Sequence, residues 1–376
     1  MGVASHAVDE AAVDRLLVRA RREIEEGRLP ACQLALAVQG ELVVSEAYGD
    51  ANVDTRFVVF SCTKALVAAT VWSLMGEGLV DPSQRVAEYL PGFATHGKEP
   101  ITIEQVMLHT SGFPHAPLGP PAWVTSEGRR DAFARWRLNW EPGTAYEYHA
   151  SSAHWVLAEV IREVTGTDFR DVAEARVSSP LGLPHLLGIT PRDASDVAVL
   201  VPTGEPATPD ELEAALGVRA LPVTEVTDEA LLRFNDPGLH ALGHPGGGGV
   251  MRAADLALFY QAVLHDPAGC WEPDMLADVT GRVRNRFPDP FGVPANRTLG
   301  LVQAGDDGKA VMRGFGRTVS PRAFGHDGAA GQIAWADPGT GLSFAYVTNG
   351  IDANVLRQAR RGVALSSLAG ACGATD

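Results

Sequence analysis

The chain opens on an amphipathic pattern. Before residue 30, Val13, Leu16, Leu17, Ala20 and Ile24 recur at helical spacing among acidic and basic residues, which predicts a helix with one apolar face. Two β-rich runs follow, 31–38 and 41–48, around Gln39 and Gly40, a hairpin by its turn. The run 65–75 is then apolar on nearly every side and unbroken until Gly76, with Gly78 closing it. A run of that kind predicts a helix buried all round. Shorter helical patterns at 103–108 and 151–165 lie among Pro and Gly breakers. The second carries Trp155, Val156, Ala158, Val160 and Ile161 on one side and stops at Gly166. The stretch 190–245 has no clear period, and 246–249 reads as a flexible glycine turn into a helix at 253–264. Strand patterns return at 299–303, 323–326, 331–336 and 342–348, the last two joined by a turn at 337–341, and a helix at 353–368 closes the chain.

Strands at both ends and helices between them predict an α+β fold. One antiparallel sheet, made from N- and C-terminal strands and flanked by helices, would occupy 1–60 and 290–376, with an inserted, mostly helical domain at 61–289. A site is expected in the cleft between the two parts. At 376 residues and 45% hydrophobic, the chain has material for a core of that size. Its net charge of −15, with no basic patch interleaved with aromatics, argues against nucleic acid and anionic membrane as partners. No apolar run approaches the ~20 residues of a membrane span. Cys32, Cys62, Cys270 and Cys372 are scattered without disulfide or metal spacing, and the N-terminus does not read as a signal peptide, so a cytoplasmic location is expected.

The candidate chemistry starts at the head of the apolar helix. Ser61 and Lys64 stand three apart in its first turn, on one face, where the hydroxyl and amine can meet. Backbone N–H groups there have no partner inside the helix, which suits an oxyanion. Only three of the 31 Lys and Arg residues are lysines: Lys64, Lys98 and Lys309. Arginine cannot give up its proton in a protein and a desolvated lysine can, so a lysine on this apolar helix reads as a base. Further along, the step 141–149 holds Tyr146, Tyr148 and His149 after Pro142 and Gly143, and a tyrosine near a lysine can shuttle protons. His326, in a glycine-rich strand edge at 324–331, is a candidate acid, base or substrate contact. His240 and His244 are four apart, but Gly243, Pro245 and the glycine run argue against a helix and against a metal there. The glycine run also lacks the Gly-Lys-Ser/Thr of a phosphate loop.

Taken in order, these pieces resemble the serine β-lactamase and penicillin-binding-protein superfamily, in its class C-like esterase branch (family VIII-type carboxylesterases and acyltransferases). Ser61-Cys62-Thr63-Lys64 matches S-x-x-K. The segment 108–112 resembles L-x-H-T-S-G, Pro142-Gly143 with Tyr148 matches P-G…Y-S-N, and His326-Asp327-Gly328 falls where the family has K-T-G or H-x-G. The resemblance implies a β-lactamase/transpeptidase-like fold and an acyl-enzyme on Ser61, with Lys64 and Tyr148 handling protons. It implies an oxyanion hole from the N–H groups of Ser61 and Ala329, and substrate contacts from His326, His149 and Ala150. No cofactor or metal is implied. The expected substrate is a small-molecule ester, its acyl group passing to water, alcohol or amine, as in relatives from natural-product pathways. A β-lactamase or D-Ala-D-Ala peptidase, or a non-catalytic binding member, are the alternatives. Two positions depart from the pattern: Ala150 replaces the Asn of Y-x-N, and His326 beside Asp327 replaces the lysine of K-T-G. Arg313, Arg317 and Arg322 are the candidates to supply the missing charge.

Overall fold

The computed structural model describes residues 8–221 and 225–373. Its centre is a six-stranded antiparallel sheet. In chain order the strands are β1 (Ala31–Val38), β2 (Glu41–Gly49), β3 (Val302–Gln303), β4 (Phe324–Gly325), β5 (Ile333–Asp337) and β6 (Leu342–Thr348). Their spatial order is β2-β1-β6-β5-β4-β3, so the N-terminal hairpin is joined to the C-terminal meander where β1 pairs with β6. Gln39 and Gly40 make the hairpin turn, both at positive φ, 51° and 83°.

Both faces of the sheet are covered, and period-two alternation gives each a different character. One face carries small side chains, among them Ala35, Ala37, Ala334, Ala336 and Ala345. The other carries Leu34, Leu36, Trp335, Phe344 and Tyr346. The large face is covered by the terminal helices, α1 (Glu10–Glu25) and α5 (Val355–Gly370). On the small face the backbone can approach closely, and α4 (Ala253–His265) lies against it. There Gln261 Nε2 reaches the Ala37 carbonyl at 2.8 Å, and the Ser343 hydroxyl donates to the Ala257 carbonyl at 2.7 Å. This helix falls within the stretch the pattern gives to the helical insert; its Ala-rich surface matches the small face of the sheet instead. The same core takes in α2 (Thr63–Gly76), apolar on all sides, and α3 (Ser152–Thr165), which ends at Gly166 in the left-handed region.

The C-terminal strand patterns shorten in the folded chain to two-residue pairings at β3 and β4. In the stretch without period, Val201–Thr203 pairs in parallel with Gly350–Asp352, and short helices follow, including Pro209–Leu216 and Pro237–Leu242. Among the described residues no helix is long and apolar enough to cross a membrane.

The terminal helices are tied by a buried ion network. Arg361 donates to Glu23 at 2.8 Å and to Asp352 at 2.6 Å, and all three side chains are at most 2% exposed. Burial pushes both carboxyls up, but their arginine partners outweigh it and hold them below the usual range. Arg361→Ala leaves two buried carboxylates short of a cation, at a cost of about 3–5 kcal/mol at pH 7. Because the folded pKa values are depressed, that contribution is present at neutral pH and is lost as pH falls through them. Urea unfolding of both proteins at pH 7 and near pH 3 checks this, the deficit shrinking at the lower pH.

Candidate active site

The segment Phe57–Val58 pairs with Val250–Met251 and delivers the chain into a tight turn, Phe60–Cys62, just ahead of α2. Phe60, directly before Ser61, has φ 44°, a conformation that costs energy outside glycine and is held here by its surroundings. The Thr63 hydroxyl donates to the Phe60 carbonyl at 2.5 Å and accepts from Gly249 N–H at 2.8 Å, which locks the turn from below.

Lys64 is fully buried. Its amine donates to the Ser61 hydroxyl at 3.2 Å, the Ala150 carbonyl at 2.7 Å and the Gly246 carbonyl at 2.6 Å. Among the described residues no carboxylate pairs with it, and burial, reinforced by the charge of Arg297, pulls it down to about 7. The glycine run is therefore a close-packed backbone crossing and not a flexible turn. A Cβ on Gly246 would sit 3.2 Å from the lysine nitrogen, and one on Gly249 would meet Thr63 at 2.7 Å.

Tyr148 stands over the same amine, its ring centroid 5.0 Å from Lys64 Nζ. Burial raises its pKa, while Arg297 and the Ser61 hydroxyl act in the opposite direction. Among the described residues the phenol makes no hydrogen bond of ordinary geometry, although Ser61 is near enough to favour its ionised form. The 108–112 segment carries this tyrosine. His109, at φ 57°, lays its ring 4.9 Å from that of Tyr148 and accepts from His149 N–H at 3.2 Å.

Ala329 N–H and Ser61 N–H have no hydrogen-bond partner among the described residues. Ala330 beside the first has φ 59°, so each of the two amides has a left-handed non-glycine neighbour. Gly328 allows this approach, since a Cβ there would meet the Val59 carbonyl at 2.5 Å. Ser61 and Ala329 open on a cavity of about 200 Å³, lined mainly by Phe60, Trp123, Leu231, Phe234 and Leu239, with Ala150, Ser151 and His244 and the charged residues Glu225 and Arg233.

Not every expected residue reaches this cavity. His149 is fully buried: Phe113 N–H donates to its Nε2 at 3.1 Å, and its Nδ1–H donates to the Glu147 carbonyl at 2.7 Å. Both ring nitrogens are used, and burial pushes its pKa down to about 3, so it pins the Tyr148 loop and has nothing left for a substrate. His326 is 3% exposed and stands behind Tyr148, ring centroids 5.9 Å apart, its Nδ1–H spent on the Asp327 carbonyl. Burial holds it well below the ordinary histidine range, hence neutral. It does not line the cavity; Ala150 does. Arg313 is consumed by Asp307 and by the Pro294 and Ala304 carbonyls, and Arg317 and Arg322 are exposed outside the cavity.

The buried cation beside Lys64 and Tyr148 is Arg297, which the motif pattern missed; Arg233, exposed, lines the cavity itself. Arg297 lies in a short buried polar run, Asn296 to Thr298, just ahead of a strand pattern, and that burial is invisible in the sequence. Ser151 was missed as well; its hydroxyl meets His244 Nε2 at 2.9 Å in the cavity wall.

Comparison with known proteins gives the family and the fold. The family model described as Beta-lactamase matches residues 13–369. The chain belongs to the beta-lactamase family. It is 30% identical over 350 residues to the esterase/beta-lactamase LipL of Mycobacterium tuberculosis, covering 84% of this chain and 76% of LipL. Among solved structures, a penicillin-binding-protein homologue from Caulobacter crescentus superposes with a TM-score of 0.76 at 25% identity, over 96% of this chain and 98% of the other. A family VIII carboxylesterase does so with a TM-score of 0.76 at 25% identity, over 97% and 99%. The protein is a serine hydrolase with the fold of this family.

Proposed function

We propose that the protein is an acyl-enzyme-forming esterase or acyltransferase. It acts on carboxylic esters with an apolar acyl group, in the cleft between the sheet part (1–60 and 290–376) and the helical part (61–289). The observation that carries this reading is the buried Lys64 amine at 3.2 Å from the Ser61 hydroxyl, with Tyr148 over both.

Neutral Lys64 takes the hydroxyl proton as Ser61 Oγ attacks the ester carbonyl. The oxyanion is received by the Ser61 and Ala329 N–H groups. As the intermediate collapses, Tyr148 gives its proton to the departing alkoxide and recovers one from the Lys64 ammonium. Deacylation runs the same path backwards, with water, an alcohol or an amine in place of the departed group. The apolar wall of Phe60, Trp123, Leu231, Phe234 and Leu239 suits an uncharged acyl chain. On the other side of Ser151 and Glu225 a second depression of about 860 Å³ leaves room for the alcohol or amine. The carboxylesterase name of one similar structure, and the esterase half of the LipL name, support an ester substrate. Intact Ser61, Lys64 and Tyr148 argue against a non-catalytic member.

The test is acid-quenched mass spectrometry during turnover of p-nitrophenyl butyrate. A butyryl adduct on the peptide containing Ser61 is expected. Turnover with the adduct elsewhere, or neither turnover nor adduct across a panel of aryl and methyl esters, overturns the reading.

A further inference from the structure

Arg297 takes no part in that scheme, yet its guanidinium lies against it. The side chain is 5% exposed, and its Cζ is 5.1 Å from the Tyr148 ring centroid and 5.7 Å from that of Tyr146. Nε donates to the Tyr146 hydroxyl at 3.0 Å, while Nη1 is buried without a hydrogen-bond partner among the described residues. The backbone is equally fixed. Arg297 N–H donates to the Asn285 carbonyl at 3.0 Å, and Asn285 Nδ2 donates to the Leu108 carbonyl at 3.0 Å, next to the His109 ring that packs on Tyr148. One cation thus touches both tyrosines of the 141–149 step and is anchored to the segment beneath them.

We propose that Arg297 is a positioning residue for acyl transfer: stacked across Tyr146 and Tyr148, it fixes the Tyr148 ring against Ser61 and Lys64 and supplies the permanent positive charge under which the proton moves among them. This rests on the acyl-transfer reading above. A fixed cation beside a phenol and an amine favours phenolate and neutral amine, the forms that can accept the Ser61 proton. After burial, Arg297 is the largest influence lowering Lys64 and the largest opposing the rise of Tyr148. Glu225, Cys62 and Asp327 also face the amine and act in the opposite direction. His109, His154, His244 and His326 face it too, each held below the ordinary histidine range by burial, and so neutral.

The test follows the rate of Ser61 labelling by a fluorophosphonate against pH, which needs no natural substrate. Arg297→Gln should move the acid limb up by about one pH unit and slow labelling near neutrality by about tenfold. Arg297→Lys, which keeps the charge, should leave the limb near its wild-type position. For p-nitrophenyl butyrate, Tyr148→Phe should lower kcat by roughly 10²-fold. In that background, at a pH above the limb where the amine is already neutral, Arg297→Gln should add little, because there both act through one ring. An unmoved limb in a folded Arg297→Gln protein, or full additivity with Tyr148→Phe, overturns the proposal. Should Arg297→Gln fail to fold, Tyr146→Phe removes the 3.0 Å tether and leaves the charge. It should lower kcat a few-fold with KM and the limb unchanged, and an unchanged kcat overturns the positioning role. A wild-type protein inert to fluorophosphonates would instead fail the acyl-transfer reading itself.

Discussion

Lys64→Arg will lower kcat/KM for an activated ester by roughly 10³-fold or more at every pH from about 5 to 9, near the upper range for loss of a general base. The substitution keeps the charge and removes the base, since a guanidinium does not deprotonate in a protein. In the wild type, burial and Arg297 depress the amine to about 7. The active, neutral form therefore accumulates above that pH, and kcat/KM falls as pH drops through it. In Lys64→Arg no such limb should exist, because no accessible pH empties the cation. Steric damage is a competing cause: the amine is held between the Ala150 and Gly246 carbonyls at 2.7 and 2.6 Å, and a guanidinium is the bulkier group. Lys64→Met separates the two, being no bulkier than lysine and unable to act as a base. It should be as inactive as Lys64→Arg while keeping a near wild-type melting temperature, and Ser61→Ala sets the floor for both. A folded Lys64→Met or Lys64→Arg protein retaining most of the wild-type rate would show that the amine is not the base.

That prediction draws on something already legible in the chain. A lysine on an otherwise apolar helix, in a protein that almost always uses arginine, marked the site before any coordinates. The paired termini of the sheet were legible for a similar reason: β1 and β6 alternate small and large side chains with period two, and both faces are buried. What escaped was long-range placement. His149 and His326 sit beside motif residues in sequence, but whether an imidazole faces a cavity or a wall depends on partners such as Phe113 N–H, 36 residues away. Arg297 reaches Tyr146 across 151 residues, and no local spacing encodes that contact. The 246–249 glycines serve close approach and not freedom; the two uses of glycine look alike until the opposing backbone is known. In 190–245 the short helices are capped by Thr208, Thr227 and Asp236, local signals too brief to stand out without a long apolar period.

The enzyme will cleave carboxylic esters and turn over β-lactams poorly, with a gap in kcat/KM of roughly 10²- to 10⁴-fold. Acylation by an ester asks for a nucleophile, its base and two oxyanion donors, and the site offers Ser61, Lys64 and the free amides of Ser61 and Ala329. A β-lactam also carries a side-chain amide and a ring carboxylate, polar groups that lose water on entering. Ala150, at the cavity wall, offers the amide no side-chain partner. His326 is neutral, buried and turned to the Asp327 carbonyl, and Asp327 beside it, its side chain 57% exposed, brings a carboxyl and not a cation. Arg297 does not compensate: it is enclosed beneath the tyrosines and does not line the cavity, and Arg233, which does line it, is exposed, so that water screens its charge. Each unpaired polar group costs ~1–3 kcal/mol, and two such losses, if additive, produce the gap stated. The measurement is kcat/KM for p-nitrophenyl butyrate and for a chromogenic cephalosporin on one preparation, with and without an amine acceptor. A cephalosporin value equal to the ester value would refute the argument from Ala150 and His326. Ester consumption accelerated by the amine, with amide as product, would assign the acyl group's destination to the amine in place of water. Restoring the missing partner gives the converse check: Ala150→Asn should narrow the gap from the β-lactam side, raising cephalosporin turnover while ester turnover stays within a few-fold, because the added amide meets a group that the ester does not have.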